Sequence, residues 1–232
     1  MTYFLANCKL PTSYVQKISE YGKVILLPEF EALESPVNAH PDMLAVNVCG
    51  KLFIHKENTK LASLLSSCGI TFCASNAEVG KKYPHDVSLN LFKVKNVLFS
   101  CVKHASKEIV SYAKDLGLET VNVKQGYTKC SSMILGEGIV TADTSIYGAA
   151  LLHGVPALLI CPGHIDIEKY NTGFIGGASF ELCHGKTAVF GDISTHPEHE
   201  KILEFAKEQG CEIVSLGEGN LFDYGGIVRV DT

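Results

Sequence analysis

The chain has 232 residues, 46% of them apolar, and a formal net charge of −5 with both signs scattered along it. No basic stripe supports binding to nucleic acid. The longest apolar region, residues 146–161, is interrupted by His153, Gly154 and Pro156, so no membrane span is expected, and residues 1–11 lack the basic start and apolar run of a signal peptide.

Cysteine usage indicates a reducing compartment. The count of nine is odd, and most of the cysteines stand among apolar residues, where cysteine behaves as a small hydrophobe. No CxxC pair occurs, which disfavours a structural zinc site of the usual spacing. The sequence therefore predicts a reduced cytoplasmic protein with no cofactor.

One phrase recurs five times along the chain: an amphipathic helical stretch, a glycine, and a short run rich in valine, isoleucine or leucine. In chain order the copies are YVQKISEYG with KVILL, KLASLLSSCG with ITFCA, EIVSYAKDLG with LETVNV, IYGAALLHG with VPALLI, and KILEFAKEQG with CEIVSL. The glycines, which can take the left-handed conformation after a helix, are Gly22, Gly69, Gly117, Gly154 and Gly210. Self-similarity of this kind predicts repeated supersecondary units.

Strand pairs lie between these copies and read LAVNVCGKLFI, VSLNLFKVKNVLFS, CSSMILGEGIVTA and GASFELCHGKTAVF. Each pair breaks at a polar or glycine-bearing turn, which is typical of a hairpin. Equivalent positions are Asn47, Asn90, Ser132, Ser179 and Gly226, at spacings of 43, 42, 47 and 47 residues. One unit is therefore strand, turn, strand, helix, glycine, strand.

The two ends of the chain share the fifth unit. A lone strand at Tyr3–Ala6 opens the sequence with its helix and third strand, and residues 225–230 supply the missing first strand. A split unit is expected where repeats close into a ring, because pairing the last strand with the first removes an unpaired edge. We expect residues 1–232 to form a single α/β domain, a five-bladed α/β propeller of ββαβ units with pseudo-five-fold symmetry, closed by its N- and C-terminal strands.

Proton-transfer groups concentrate in the five loops that lead into the first strands, where a ring would bring them to one mouth of a central channel. Histidine and carboxylate arriving from several loops can orient an imidazole as a general base or bind a cationic group. The residues are His40, Asp42, His85, Asp86, Lys129, Cys130, His164, Asp166 and Asp223. For His40 to Asp42 and for His85 with Asp86, a structural turn is the alternative.

Three further segments carry predictions. Residues 171–177, which begin at Asn171, are rich in glycine and permit close approach of the backbone to a ligand. Cys130 follows Lys129, so either its thiol pKa is lowered or it is an inert cysteine. Residues 195–198 resemble a capping box with proline inside the helix, which would place His196 and His199 in solvent.

Five repeats of this order, closed by the termini, resemble the pentein fold of the guanidine-modifying enzymes, which include arginine and agmatine deiminases, dimethylarginine hydrolases and amidinotransferases. Residues 163–166, Gly-His-Ile-Asp, resemble the stretch that holds the catalytic histidine in agmatine deiminases. Residues 163–179 also resemble small uncharacterised bacterial proteins assigned to this fold. The resemblance spans nearly the whole chain and indicates a fold more than an activity.

The resemblance implies a thiolate that attacks the guanidinium carbon, a histidine as acid and base, and carboxylates that clamp the guanidinium. It assigns His164 as the histidine, Asp166 as its companion, and Asp42 and Asp86 as clamps. The family's cysteine belongs in the last strand, where residues 225–230 contain no thiol. Catalysis by the usual route is therefore altered or lost, unless Cys130 takes the place of that cysteine.

We therefore expect a small-molecule ligand, guanidino or amidino in type, in a polar central cleft. If the protein is an enzyme, it is a hydrolase or amidinotransferase acting on the C–N bonds of such a compound. The alternatives are a non-catalytic binding protein, a ribosome-factor-like pentein, or a metal-dependent hydrolase built on histidine and aspartate. The candidate site residues are His164, Asp166 and Cys130 for catalysis and His40, Asp42, His85, Asp86, Lys129, Asn171 and Asp223 for binding. A homodimer is left open.

Overall fold

The computed structural model describes residues 1–232 as an α/β fold. The strands are β1 (Thr2–Asn7), β2 (Lys23–Leu27), β3 (Ala45–Val48), β4 (Lys51–His55), β5 (Cys73–Ser75), β6 (Phe92–Val94), β7 (Val97–Ser100), β8 (Glu119–Asn122), β9 (Ser132–Leu135), β10 (Gly138–Thr141), β11 (Ala157–Leu159), β12 (Ile165–Asp166), β13 (Ser179–Cys183), β14 (Lys186–Val189), β15 (Glu212–Ser215), β16 (Leu221–Phe222) and β17 (Val228–Asp231).

The helices connect these strands. They are α1 (Thr12–Ser19), α2 (Pro41–Leu44), α3 (Thr59–Ser67), α4 (Lys107–Asp115), α5 (Thr144–Leu152) and α6 (His199–Glu208), together with short 3₁₀ turns at Val37–Ala39 and Ile193–Thr195. None of the helices combines the length and the apolar character that crossing a membrane requires.

Five three-stranded sheets repeat one arrangement, in the orders β17-β1-β2, β3-β4-β5, β6-β7-β8, β9-β10-β11 and β13-β14-β15. The first and second strands of each sheet run antiparallel, whereas the second and third run parallel. A parallel pair needs a crossover, and α1, α3, α4, α5 and α6 supply it. A parallel ribbon of β12 and β16, which the sequence did not predict, links two of the loops.

The first sheet contains both ends of the chain. β1 and β17 pair antiparallel, with Thr2 opposite Asp231 and Leu5 opposite Val228. β17 starts later than the predicted strand because Gly225 and Gly226 have φ values of +79° and +62°, which lie in the left-handed region. The two ends therefore belong to one hydrogen-bonded sheet.

Five hydrophobic clusters hold neighbouring sheets together. In chain order they join β1 and β2 to β4 and α3, β3 and β4 to β7 and α4, β6 and β7 to β10 and α5, and β9 and β10 to β14 and α6. The fifth joins β13 and β14 back to β1 and α1. Each cluster thus contains residues of more than one sheet.

The glycines after the helices follow the prediction at four of five positions. Gly69, Gly117, Gly154 and Gly210 have positive φ, as the left-handed end of a helix requires. Gly22 has no positive φ, so the prediction is wrong there. A Cβ at Gly22 would lie 2.6 Å from the carbonyl oxygen of Thr2, so close approach to β1 accounts for the glycine.

Candidate binding site

A cavity of about 560 Å³ lies among the first strands of all five sheets. Its wall includes Asn47 of β3, Lys93 of β6, Ile134 of β9, Glu181 of β13 and Arg229 of β17. One end of the cavity is formed by the loops that precede the first strands, and we call it the loop end. Its lining residues are Asp42, Lys129 and Gly225. The cavity is therefore lined by polar and apolar residues together, with Asp42 and Lys129 at its loop end.

Asp42 is the buried acid of this cavity. It lies in the first turn of α2 after Pro41, and its backbone N–H donates to the carbonyl of Gly225 at 3.1 Å. Its Oδ2 accepts the thiol proton of Cys130 at 3.0 Å, whereas its buried Oδ1 has no hydrogen-bond partner. Burial, followed by the negative charge of Asp223, raises the pKa of Asp42 to about 7.

Asn90 holds this group together. Its Oδ1 accepts from the backbone N–H groups of Lys129 and Cys130 at 2.8 and 3.2 Å. Its Nδ2 donates to the carbonyl of Asp42 at 3.1 Å and lies 3.0 Å from the sulfur of Cys130. The sequence identified Asn90 only as a repeat marker. An amide within the apolar run VSLNLF was the available signal, because a buried amide needs partners.

Cys130 is a buried thiol beside Asp42. The residue is 4% exposed and packs in a hydrophobic cluster. Burial and the nearby charge of Asp42 raise its thiol pKa well above the usual value, because both disfavour a thiolate. A hydrogen bond donated to a carboxylate also stabilises the protonated form. Of the two alternatives for Cys130, these surroundings favour the inert cysteine.

Lys129 reaches the same end of the cavity through its side chain. Its Nζ donates to the carbonyl of Gly176 at 3.1 Å, and its charge opposes the rise in the Asp42 pKa. An ammonium group has three N–H donors, so this one protein acceptor leaves donors for a ligand. The loop end thus contains an ammonium and a carboxyl group that interact electrostatically.

His40 and Asp223 form a buried pair beneath this end. His40 Nδ1 lies 3.7 Å from Asp223 Oδ1, and both side chains are almost fully buried. Burial lowers the pKa of His40 despite the opposing charge of Asp223. The Asp223 carboxylate also accepts from the backbone N–H groups of Phe174 and Gly225, each at 2.9 Å. Asp223 therefore fastens two loops to each other.

Asp86 and His85 lie outside the cavity wall. Asp86 is buried, and its Oδ2 accepts from the hydroxyl of Tyr127 at 2.7 Å. Burial raises the pKa of Asp86, and burial together with this hydrogen bond raises the pKa of Tyr127. His85 is exposed and faces Glu78 at 3.5 Å. The two neighbours in sequence thus have separate surroundings.

His164, Asp166 and Asn171 are exposed and do not line the cavity. Asp166 Oδ2 accepts from the side-chain amide of Asn220 at 3.1 Å. The His164 ring stands edge-on to His196, with ring centres 5.7 Å apart. The structure therefore does not bring the histidine that the resemblance assigned together with the Asp42–Cys130 pair.

His196 is fully buried, so its predicted place in solvent is wrong. Its Nδ1 accepts the backbone N–H of Glu198, and α6 begins only at His199. Because the histidines of the loops are dispersed, no group of three or more His, Cys, Asp or Glu side chains is placed to hold a metal ion.

Comparisons with known proteins connect this geometry to a family and a fold. The model of a family described as of unknown function, DUF6873, matches residues 5–228. No curated protein matches the sequence.

Solved structures match over nearly the whole chain. A dimethylarginine dimethylaminohydrolase, as an adduct with 4-chloro-2-hydroxymethylpyridine, has a TM-score of 0.58 at 9% identity, with 98% of each chain covered. The N-terminal domain of ArgZ, bound covalently to a reaction intermediate, has a TM-score of 0.59 at 10% identity, covering 100% of this chain and 98% of that one. The amidinotransferase SxtG from Microseira wollei has a TM-score of 0.53 at 11% identity, with coverage of 93% and 88%.

These structures are guanidine-modifying enzymes of the pentein type, so the resemblance drawn from the repeats is confirmed. At identities of 9–11% the similarity establishes the fold and no activity.

Proposed function

The chain belongs to the family of unknown function DUF6873, and we propose that it is a five-bladed α/β propeller that binds a small guanidino or amidino compound in its central cavity without a thiol nucleophile. Three observations support the propeller. The hydrophobic clusters join each sheet to the next, and the fifth joins the last sheet to the first. β1 pairs with β17, and all five first strands line one cavity.

The unpaired Oδ1 of Asp42 is the single observation that carries the ligand proposal. A buried acceptor without a partner costs free energy, on the order of 1–3 kcal/mol, and a ligand that donates a hydrogen bond there removes this cost. Guanidino and amidino groups carry several N–H donors in one plane. An ionised carboxylate accepts them in charge-assisted hydrogen bonds, which are stronger than neutral ones.

The charges at the loop end fit a single cation. Asp42 and Asp223 carry two negative charges when ionised, Lys129 carries one positive charge, and a lowered pKa keeps His40 neutral. One negative charge therefore remains for the ligand. The Lys129 ammonium donates to the carbonyl of Gly176 and not to Asp42. The Oδ1 of Asp42 is therefore the acceptor for the cationic head of the ligand.

The proposal is a binding function because a thiolate has no place in this cavity. The raised pKa of Cys130 keeps its thiol protonated. The last strand has Val228 and Arg229 where the resemblance to the guanidine-modifying enzymes implies a thiol. No observation favours a ribosome-associated role. We also place the protein in the cytoplasm, since all nine cysteines are unpaired and thiols stay reduced there.

Calorimetric titration and thermal unfolding with acetamidine and with acetamide test the proposal. The two molecules have nearly the same shape, but only acetamidine is a cation at neutral pH. We expect acetamidine to bind and to raise the melting temperature, with acetamide much weaker. The rise in melting temperature should grow with the acetamidine concentration, as mass action requires when only the folded state binds the ligand.

Asp42→Asn should abolish the acetamidine response. Asp86→Asn is the matched control, since Asp86 is also buried, has a raised pKa and has one oxygen without a partner, yet does not line the cavity. It should bind acetamidine as the unmodified chain does. Absence of binding to guanidine, acetamidine and agmatine alike, or binding that survives Asp42→Asn, contradicts the proposal.

A further inference from the structure

A second cavity, of about 440 Å³, lies where the loops of the second and third sheets meet, and we call it the α4 cavity. Its lining comes from residues 76–78 after β5, residues 84–88 before β6, and residues 103–108, which connect β7 to α4 and include the first two residues of that helix. No residue lines both this cavity and the central one. Its volume is in the range of small-molecule sites.

Basic side chains line the α4 cavity. Lys103 and His104 lie in the connection from β7 to α4, Lys107 is the first residue of α4, and His85 comes from the loop before β6. Neither lysine forms an ion pair with a carboxylate of the protein. The wall of this cavity therefore carries two positive charges that no protein group neutralises by direct contact.

Two carboxylates line the same cavity, but both are engaged by groups other than the lysines. Glu108 Oε1 accepts from the backbone N–H and the side-chain amide of Asn76 at 3.2 and 3.1 Å, and its Oε2 accepts from the hydroxyl of Ser106 at 2.8 Å. Glu78, whose side chain is 81% exposed, faces His85 at 3.5 Å. The two ammonium groups therefore remain available for an anion that enters the cavity.

The first turn of α4 adds backbone donors to this wall. The helix has nine residues and follows Ser106, whose side chain makes no capping hydrogen bond. The Ser106 hydroxyl accepts from Ser75 at 2.8 Å and donates to Glu108, so it is occupied elsewhere. The N–H groups at the start of a helix carry partial positive charge and bind phosphate oxygens. The positive end of α4 thus lies beside Lys103 and Lys107.

Ser88 is a lining residue whose hydroxyl lacks a partner. The residue is 2% exposed, and its Oγ makes no hydrogen bond in the protein. Its carbonyl accepts the backbone N–H of Ser106 at 2.8 Å, which fixes Ser88 against the residue that precedes α4. A buried hydroxyl without a partner costs free energy, and an acceptor bound at the start of α4 would remove that cost.

We propose that the α4 cavity binds a small phosphomonoester, whose phosphate group contacts Lys103, Lys107 and the start of α4 and accepts a hydrogen bond from the hydroxyl of Ser88. A phosphate monoester carries nearly two negative charges at neutral pH, which match the two lysines. Its oxygens accept charge-assisted hydrogen bonds from ammonium groups. The cavity is larger than a phosphate group, so it also has room for the organic part of the molecule. This site is independent of the function proposed for the central cavity.

NMR titration of the isotope-labelled chain with ribose 5-phosphate at constant ionic strength tests the site. The backbone amide signals of Lys107, Glu108 and Ile109 should shift and saturate. Ribose, which has the same organic part without the phosphate, should leave them in place. Equal shifts with sodium chloride at the same ionic strength would show general screening of charge and would overturn the proposal.

Replacing Lys103 and Lys107 together with glutamine should weaken ribose 5-phosphate binding about tenfold or more, because both charge-assisted contacts are lost. Lys114→Gln is the matched control, since Lys114 is an exposed lysine in the last turn of the same helix and does not line the cavity. Its Kd should equal that of the unmodified chain. Acetamidine binding should be the same in all three proteins, so failure of this site and failure of the proposed function are distinguishable.

Ser88→Ala tests the hydroxyl separately and should weaken binding about two- to tenfold, the range of one hydrogen bond. Ser100→Ala is its control, because Ser100 is also buried and has a hydroxyl without a partner but lies outside the cavity lining. Ser100→Ala should bind ribose 5-phosphate as the unmodified chain does. Equal affinities of the two alanine variants would show that Ser88 does not contact the phosphate.

Inorganic phosphate, as a second probe, distinguishes a phosphomonoester from the free ion. We expect ribose 5-phosphate to bind more tightly, because the organic part adds contacts in a cavity of this size. Tighter binding of inorganic phosphate would contradict the phosphomonoester. If neither probe gives a saturable shift at α4, or if the variant without Lys103 and Lys107 keeps full affinity, the proposed site is wrong.

Discussion

Replacing Asp42 with asparagine should remove a pH-dependent loss of stability. The pKa of this carboxyl group is about 7 in the folded chain against 3.8 for an unperturbed aspartate. A raised folded pKa means that the stability contributed by the protonated group is complete below pH 3.8 and is lost as pH rises toward 7. Each pH unit is worth about 1.4 kcal/mol, so the loss between pH 5 and pH 8 is about 3 kcal/mol.

Asparagine has nearly the same size and shape as aspartate and still offers an oxygen to the thiol of Cys130, but it does not titrate. Relative to the unmodified chain, the variant should therefore gain about 3 kcal/mol in unfolding free energy from pH 5 to pH 8. His40, His55 and His196 have lowered pKa values, which make stability rise with pH up to about 6.5. They titrate in both proteins, so the difference between the two isolates Asp42.

Urea unfolding followed by circular dichroism at pH 5, 6, 7 and 8 measures this difference, because the chain has no tryptophan for fluorescence. Asp115→Asn, at an exposed residue that ends α4, is the control and should differ from the unmodified chain by a constant amount. If the Asp42→Asn difference is also constant with pH, Asp42 is ionised normally. The reasoning about its buried environment would then be refuted.

Three further outcomes are expected. Acetamidine binding measured by calorimetry should weaken about tenfold per pH unit below 7, because the cation needs ionised Asp42; a flat profile contradicts this. In the folded protein iodoacetamide should label exposed Cys49 and leave buried Cys130 unmodified, as read by peptide mass spectrometry; equal labelling contradicts this. Gly177→Ala should destabilise the fold by about 2 kcal/mol or more in urea, since its Cβ overlaps a carboxylate. Gly148→Ala, within α5 and with open space around it, should stabilise by up to about 1 kcal/mol; equal effects contradict the packing argument.

The order of the helices and strands could be predicted from the sequence because the patterns that indicate them are local. Helical periodicity, a following glycine and a short apolar run each lie within about a dozen residues, and the hairpin turns stand where Cys49 and His184 marked them. The ribbon of β12 and β16 could not be predicted in this way, since each strand has two residues and its partner lies in another loop.

The candidate site was predicted only in part because position in a loop does not determine where a side chain points. Asp42, Lys129 and Cys130 converge, since each lies two or three residues before the start of a first strand. His164 lies in a longer loop, where its φ of +64° and the packing against His196 put it outside the cavity.

Because each hydrophobic cluster contains residues of neighbouring sheets, the sheets should not unfold independently of one another. In an open repeat array the terminal units have one neighbour and fray first. In the closed propeller that we propose, the cluster of β13, β14, β1 and α1 gives the first and last sheets a neighbour on each side, so every sheet has two. Melting should therefore proceed as one cooperative event, and damage to a single sheet should lower the midpoint for the entire chain.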